Sequence, residues 1–129
     1  MRSLAILVAL LGLVALSLPQ EGDSLDTYQK QLKENPKNSL AHYRIGEIHF
    51  QNRHYQSAAN AFRAALNGDL EPRWTQVWSY INLGMIFDLT RNRERAQVAY
   101  RAAVKTQDNT RDAQSEAARY LETPYSSPD

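Results

Sequence analysis

The sequence predicts an all-α fold, a solenoid of antiparallel helical hairpins with about six helices after an N-terminal apolar segment. Three observations carry that expectation. The chain matches itself at an offset of 38 residues, the apolar positions of each copy follow helical spacing, and the links inside each copy are short and polar. The offset pairs Ile45 with Leu83, Gly46 with Gly84, Ile48 with Ile86, Arg53 with Arg91, Ala58 with Ala96 and Ala61 with Ala99. It then pairs Phe62-Arg63-Ala64-Ala65-Leu66 with Tyr100-Arg101-Ala102-Ala103-Val104, and a fixed period of this kind marks a repeat architecture.

The first element is of a different material. Arg2 is followed by thirteen uncharged residues, 4–16, and then by Ser17, Leu18 and Pro19. That run is short of the roughly 20 apolar residues a bilayer span needs. A positive start, a short apolar stretch and small residues at Ala15 and Ser17 predict a secretory signal peptide over residues 1–17, with a linker over 18–23. The protein is then exported, to a bacterial periplasm or the medium. Retention of residues 4–18 would instead make a membrane anchor, and no Cys follows the run to accept a lipid.

Each copy of the repeat consists of two helices. In the first, Ala41, Ile45 and Ile48 share one helical face and Ala58, Ala61, Phe62, Ala65 and Leu66 another. Gln51-Asn52-Arg53-His54 in one copy and Thr90-Arg91-Asn92-Arg93 in the other are short connections, so the paired helices run antiparallel. Gly46 and Gly84 lie inside helices, where glycine costs roughly 1 kcal/mol relative to alanine. Close approach of a neighbouring helix, with Ala58 and Ala96 opposite and Phe62 or Tyr100 filling the space between hairpins, accounts for that cost.

These residues give the chain a family resemblance. Ile45-Gly46, Tyr55, Ala58, Phe62 and Ala65 stand where the tetratricopeptide repeat has its Leu-Gly, Tyr, Ala, Phe and Ala, and Leu83-Gly84, Phe87, Ala96, Tyr100 and Ala103 mark a second stretch that resembles such a unit. The resemblance implies full units over residues 39–72 and 73–109. Asn35-Pro36 resembles the proline that closes a unit, which implies a leading half-unit over residues 24–38 whose helix carries Leu25, Tyr28 and Leu32. The sequence departs from the family pattern at His49, where Tyr is usual, and at His42 and Tyr80, where Trp is common. Its period is four residues longer than the family's 34, with the excess in residues 68–76. Four residues make about one helical turn, so a second-unit first helix starting a turn early, near Pro72, absorbs the insertion without turning its packing face. Trp74 and Trp78 then become i, i+4 neighbours.

The last helix is expected over residues 110–122, with Ala113, Ala117, Ala118 and Leu121 on one face. A polar outer side there closes the array. Residues 123–129, with Pro124 and Pro128, are expected to form a flexible tail.

No constellation of catalytic groups emerges. His42 and His49 are about 10.5 Å apart along a helix, and His49, His54 and Glu47 lack the spacing of a zinc motif. Ser39, Ser57, Ser79 and Ser115 are not in Gly-flanked turns, Gly46, Gly68 and Gly84 are isolated, and there is no Cys. The expectation is a non-enzyme without catalytic, metal or cofactor residues, a metal-dependent enzyme being the remote alternative. Arg91, Arg93 and Arg95 form a basic cluster at the second inter-helix turn, compensated by Asp88 and Glu94.

Charge narrows the partner class. The 15 Lys and Arg against 14 Asp and Glu become an even balance once Arg2 is removed with the signal, so nucleic acid is not an expected partner. The resemblance implies a module or scaffold for protein–protein interaction, with the first helices of successive units lining a concave face. Carried over by position, that face presents Leu40, Tyr43, Glu47 and Phe50, then Trp78, Ile81, Asn82, Met85 and Asp88. Such an aromatic and apolar strip fits a partner helix or peptide rather than a bare C-terminal carboxylate. The competing expectation is that the terminal helices fill the groove. A homo-oligomer is compatible with the sequence, and a retained N-terminal segment would make the protein a membrane-tethered assembly factor of an envelope complex.

Overall fold

The computed structural model describes residues 24–128, and the expected signal peptide over 1–17 and linker over 18–23 lie outside them. Among the described residues six α-helices follow one another: α1 (Leu25–Glu34), α2 (Ser39–Gln51), α3 (Tyr55–Leu66), α4 (Trp74–Leu89), α5 (Arg93–Lys105) and α6 (Ala113–Glu122), the last preceded by a 3-10 turn at Thr110–Asp112. Among the described residues there is no strand. Helices α2 and α3 form one antiparallel hairpin and α4 and α5 the next, while α6 packs against α5 and α4 as the first helix of a further unit would. The all-α solenoid expected from the repeat is the architecture found.

Helix starts follow local chemistry. Ser24, Asn38 and Asn92 each stand at an N-cap and accept a hydrogen bond from the backbone N–H three residues on, at Thr27, Ala41 and Arg95. The ends of the two first helices are superimposable in kind. Arg53 (φ 59°) and Arg91 (φ 61°) are left-handed, His54 N–H donates to His49 O at 2.9 Å, and Asn92 N–H donates to Phe87 O at 2.7 Å. The inner bonds, Arg53 N–H to Phe50 O at 3.0 Å and Arg91 N–H to Asp88 O at 3.1 Å, complete a Schellman ending with arginine where glycine is usual.

The 38-residue period has the anticipated cause. Helix α4 ends in register with α2 but begins at Trp74, three residues before the repeat offset would start it, so the insertion lengthens its N-terminal end. The extension follows a link in which Ser39 is central. Its buried Oγ donates to Ala65 O at 2.6 Å and accepts from Leu70 N–H at 2.9 Å, tying the start of the first hairpin to its exit.

Two apolar clusters stack along the array. One joins Tyr43, Ala58, Phe62 and Ala65 to Leu83, Ile86 and Ala99 of the second hairpin, and the other joins Val77, Ile81, Ala96, Tyr100 and Ala103 to Ala113 and Ala117 of α6. The glycines explain how the hairpins close. A Cβ on Gly46 would stand 2.7 Å from the Phe62 ring, and one on Gly84 would overlap the Tyr100 ring. Each ring lies on the glycine of its own hairpin while facing the next one. Helix α4 is consequently enclosed by α3, α5, α2 and α6, which is why it is apolar nearly all round.

Two expectations at the C-terminal end need correction. The terminal helix starts at Ala113 and not at Thr110, because Arg111 (φ 55°) and Asp112 (φ 59°) are left-handed and break the helix, and Ala118 is exposed. The tail is not free through its length, since Tyr125 is docked against α4 and α2.

Candidate functional site

The first helices α2, α4 and α6 lie side by side, and the strip they share is the candidate surface. Its floor lies deeper than the sequence implied. Tyr43 is 3% exposed and Ile81 fully buried, so neither faces an open groove. Both sit on the seam between successive first helices. Trp74 meets the Tyr43 ring edge-on at 5.2 Å, and α6 supplies Ala113 and Ala117 to the cluster that holds Ile81. The Tyr43 hydroxyl lies against the Glu47 carboxylate and the Asn82 amide, and burial first, then the charge of Glu47, raises its pKa well above the ordinary tyrosine value.

Six of the expected residues keep partial exposure. Leu40, Glu47, Phe50, Trp78, Asn82 and Met85 are half-buried. Arg44 binds Glu47 at 2.7 Å, and Asn82 Nδ2 donates to Trp78 O at 2.8 Å. The Trp78 indole N–H donates to Thr110 O at 2.9 Å, which fastens α4 to the strained turn before α6. The Trp74 ring has the Arg44 guanidinium at 5.6 Å and the Arg111 guanidinium at 4.9 Å, an arrangement suited to cation–π attraction.

Asp88 departs furthest from expectation. Its side chain is 1% exposed and its carboxylate is a hub. Arg93 Nη1 donates to both oxygens at 3.1 Å, the Tyr100 hydroxyl donates to Oδ2 at 2.8 Å, and the Tyr125 N–H donates to Oδ2 at 2.9 Å. Arg93 Nη2 continues the network to Tyr120 O at 2.7 Å and Leu121 O at 2.8 Å, satisfying carbonyls at the end of α6. Burial, then the adjacent Asp88, pushes the Tyr100 hydroxyl far above its ordinary range. Asp88 is thus a structural acid held by several donors, one of which, the Tyr125 N–H, comes from the tail.

The basic cluster resolves into separate tasks. Arg93 belongs to the Asp88 hub, while Arg95 and Arg63 lie 5.1 Å and 5.8 Å from the Phe87 ring on the opposite side of the array. The histidines also part ways. His42 Nε2 donates to Pro36 O at 2.9 Å, and the rings of His49 and His54 are 6.0 Å apart. Among the described residues no three His, Asp or Glu side chains converge as metal ligands would. No described helix is long and apolar enough to cross a membrane.

Sequence reading missed Trp74 as the cover of Tyr43, and Tyr125 as an occupant of the concave rim. An acid in an otherwise apolar first helix was the available signal, since a buried carboxylate requires donors from elsewhere.

Comparison with known proteins agrees with the geometry. The family model of the tetratricopeptide repeat matches residues 40–67 and 79–110, the two complete hairpins. Neither a curated protein nor a solved structure matches the chain significantly.

Proposed function

With two tetratricopeptide repeats at its centre, this chain is a member of that family, and from that premise we propose that it is an exported interaction module that holds a protein partner on the face shared by α2, α4 and α6. Repeats of this family generally mediate protein–protein interaction. The observation that carries the reading is the half-buried strip of Glu47, Phe50, Trp78, Asn82 and Met85, which continues across two hairpins. Such a strip offers apolar area with a few fixed polar groups, the composition that suits a helix or an extended segment. The apolar run at residues 4–16 supports export, with residues 1–17 acting as a signal.

Photo-crosslinking in the native host tests the reading. A photoreactive residue at Met85 should capture a defined protein partner, and the same probe at Arg101, exposed on α5, should not. Capture from Arg101 and none from Met85 would move the interface to the other side of the array. N-terminal sequencing of the protein from the same cells tests export: a start near Leu18 is expected, and an intact Met1 would favour a retained anchor.

A further inference from the structure

The tail after α6 turns back onto the concave rim. Thr123 is extended (φ −126°, ψ 122°), and the chain then brings Tyr125 across the C-terminal ends of α4 and α2. Its N–H donates to Asp88 Oδ2 at 2.9 Å, and its ring stands edge-on to Tyr120 at 5.3 Å and tilted against Phe50 at 6.5 Å. Beyond it Ser126, Ser127 and Pro128 are exposed. One main-chain donor and one aromatic ring therefore anchor the segment, as in recognition of an extended peptide.

The site that receives Tyr125 does not depend on it. Without the tail, Asp88 keeps both Arg93 bonds and the Tyr100 hydroxyl, so no buried charge is stranded. Phe50 keeps its contact with Tyr55 at 5.8 Å and Tyr120 its contact with Tyr100 at 5.5 Å. A preformed cleft with an exchangeable occupant is the result.

We propose that residues 123–128 are a tethered ligand of this rim, and that the partner contributes an extended segment with an aromatic residue preceded by proline, which displaces Tyr125 and donates its own N–H to Asp88. The proposal rests on the reading of the concave face as the partner-binding face. Two residues, Thr123 and Pro124, link α6 to Tyr125, so the tail acts at an effective concentration of order millimolar, and a competing segment is weakened until it overcomes that advantage. The tail sets a threshold that excludes weak segments.

The test uses the full chain and a capped peptide of the sequence Glu-Thr-Pro-Tyr-Ser-Ser-Pro, followed by NMR titration. Tyr125→Ala should bind the peptide about tenfold more tightly than the wild type, with shifts centred on Phe50, Asp88 and Tyr120. Adding Phe50→Ala, or replacing the peptide's Tyr with Ala, should remove the gain. Equal affinity for wild type and Tyr125→Ala, or no binding to Tyr125→Ala at millimolar peptide, would make the tail a fixed part of the fold and overturn the proposal. A wild-type dimer abolished by Tyr125→Ala would assign the occupant to a second copy and overturn the tethered arrangement. Failure here with intact crosslinking from Met85 would leave the concave-face function standing, whereas peptide binding without Met85 crosslinks would sink that function alone.

Discussion

Arg93 grips Asp88 with one guanidinium nitrogen and the last turn of α6 with the other, joining the second hairpin to the terminal helix through a carboxylate that is 1% exposed. Because Arg93 itself keeps 30% of its side-chain exposure, part of its charge remains solvated, and the pair is worth less than a fully buried one. Arg93→Met leaves the Asp88 carboxylate buried against Tyr100 and should cost about 3 kcal/mol. Urea denaturation should show it, with α6 amides exchanging faster than those of α2. A loss below 1 kcal/mol would mean that Tyr100 and Tyr125 suffice to hold the charge.

The contact between Gly46 and Phe62 makes a second prediction. Alanine gains roughly 1 kcal/mol in helix propensity over glycine, but its Cβ would stand 2.7 Å from the ring and force a shift. Overpacking of this kind costs typically 1–3 kcal/mol, so Gly46→Ala should be net destabilising by about 1 kcal/mol, and Gly46→Leu by several times that. In a Phe62→Leu background the alanine change should approach neutrality. An additive double mutant would show that the ring is not what excludes the Cβ.

Left-handed arginines predict an easy gain. Arg53 and Arg91 adopt φ near 60° at positions where glycine carries no Cβ penalty. Both are exposed. Arg53→Gly and Arg91→Gly should each raise stability by about 0.5–1 kcal/mol, read as a higher urea midpoint with an unchanged slope.

Alkaline pH should unfold the protein by a predictable route. Burial, followed by Glu47 at Tyr43 and by Asp88 at Tyr100, raises both hydroxyl pKa values in the native state. The native chain therefore keeps two protons that the unfolded chain releases above about pH 10. This stability is fully present below that pH and is lost as pH rises towards the folded values. The denaturant midpoint should fall more steeply above pH 10 than in a Tyr43→Phe/Tyr100→Phe variant, and parallel curves would refute the assignment.

The hairpins were legible because they depend on local periodicity and on a self-match that repeats small and large residues in order. Gly46 and Gly84 announced a close approach, and the extra turn of α4 followed from register alone. What periodicity does not encode is the rotation of one helix against its neighbour. Tyr43 and Ile81 fell on the seam between first helices rather than on the open face for that reason, and α4, apolar nearly all round, gave no contrast from which to choose. Tyr125 was further out of reach. A polar segment with two prolines has no period, and its anchor is an acid 37 residues earlier whose own burial depends on Arg93 and Tyr100.

The array has unequal ends, and this has a mechanical consequence. Helix α1 holds on through half-buried residues such as Leu25, Tyr28 and Leu32 and contains no buried one, whereas the other end is locked by the Asp88 hub. Tension applied at residue 24 would peel α1 from α2 before disturbing either hairpin. If residues preceding it were held at a surface, α1 would act as a yielding link that lengthens under load while the two hairpins stayed folded.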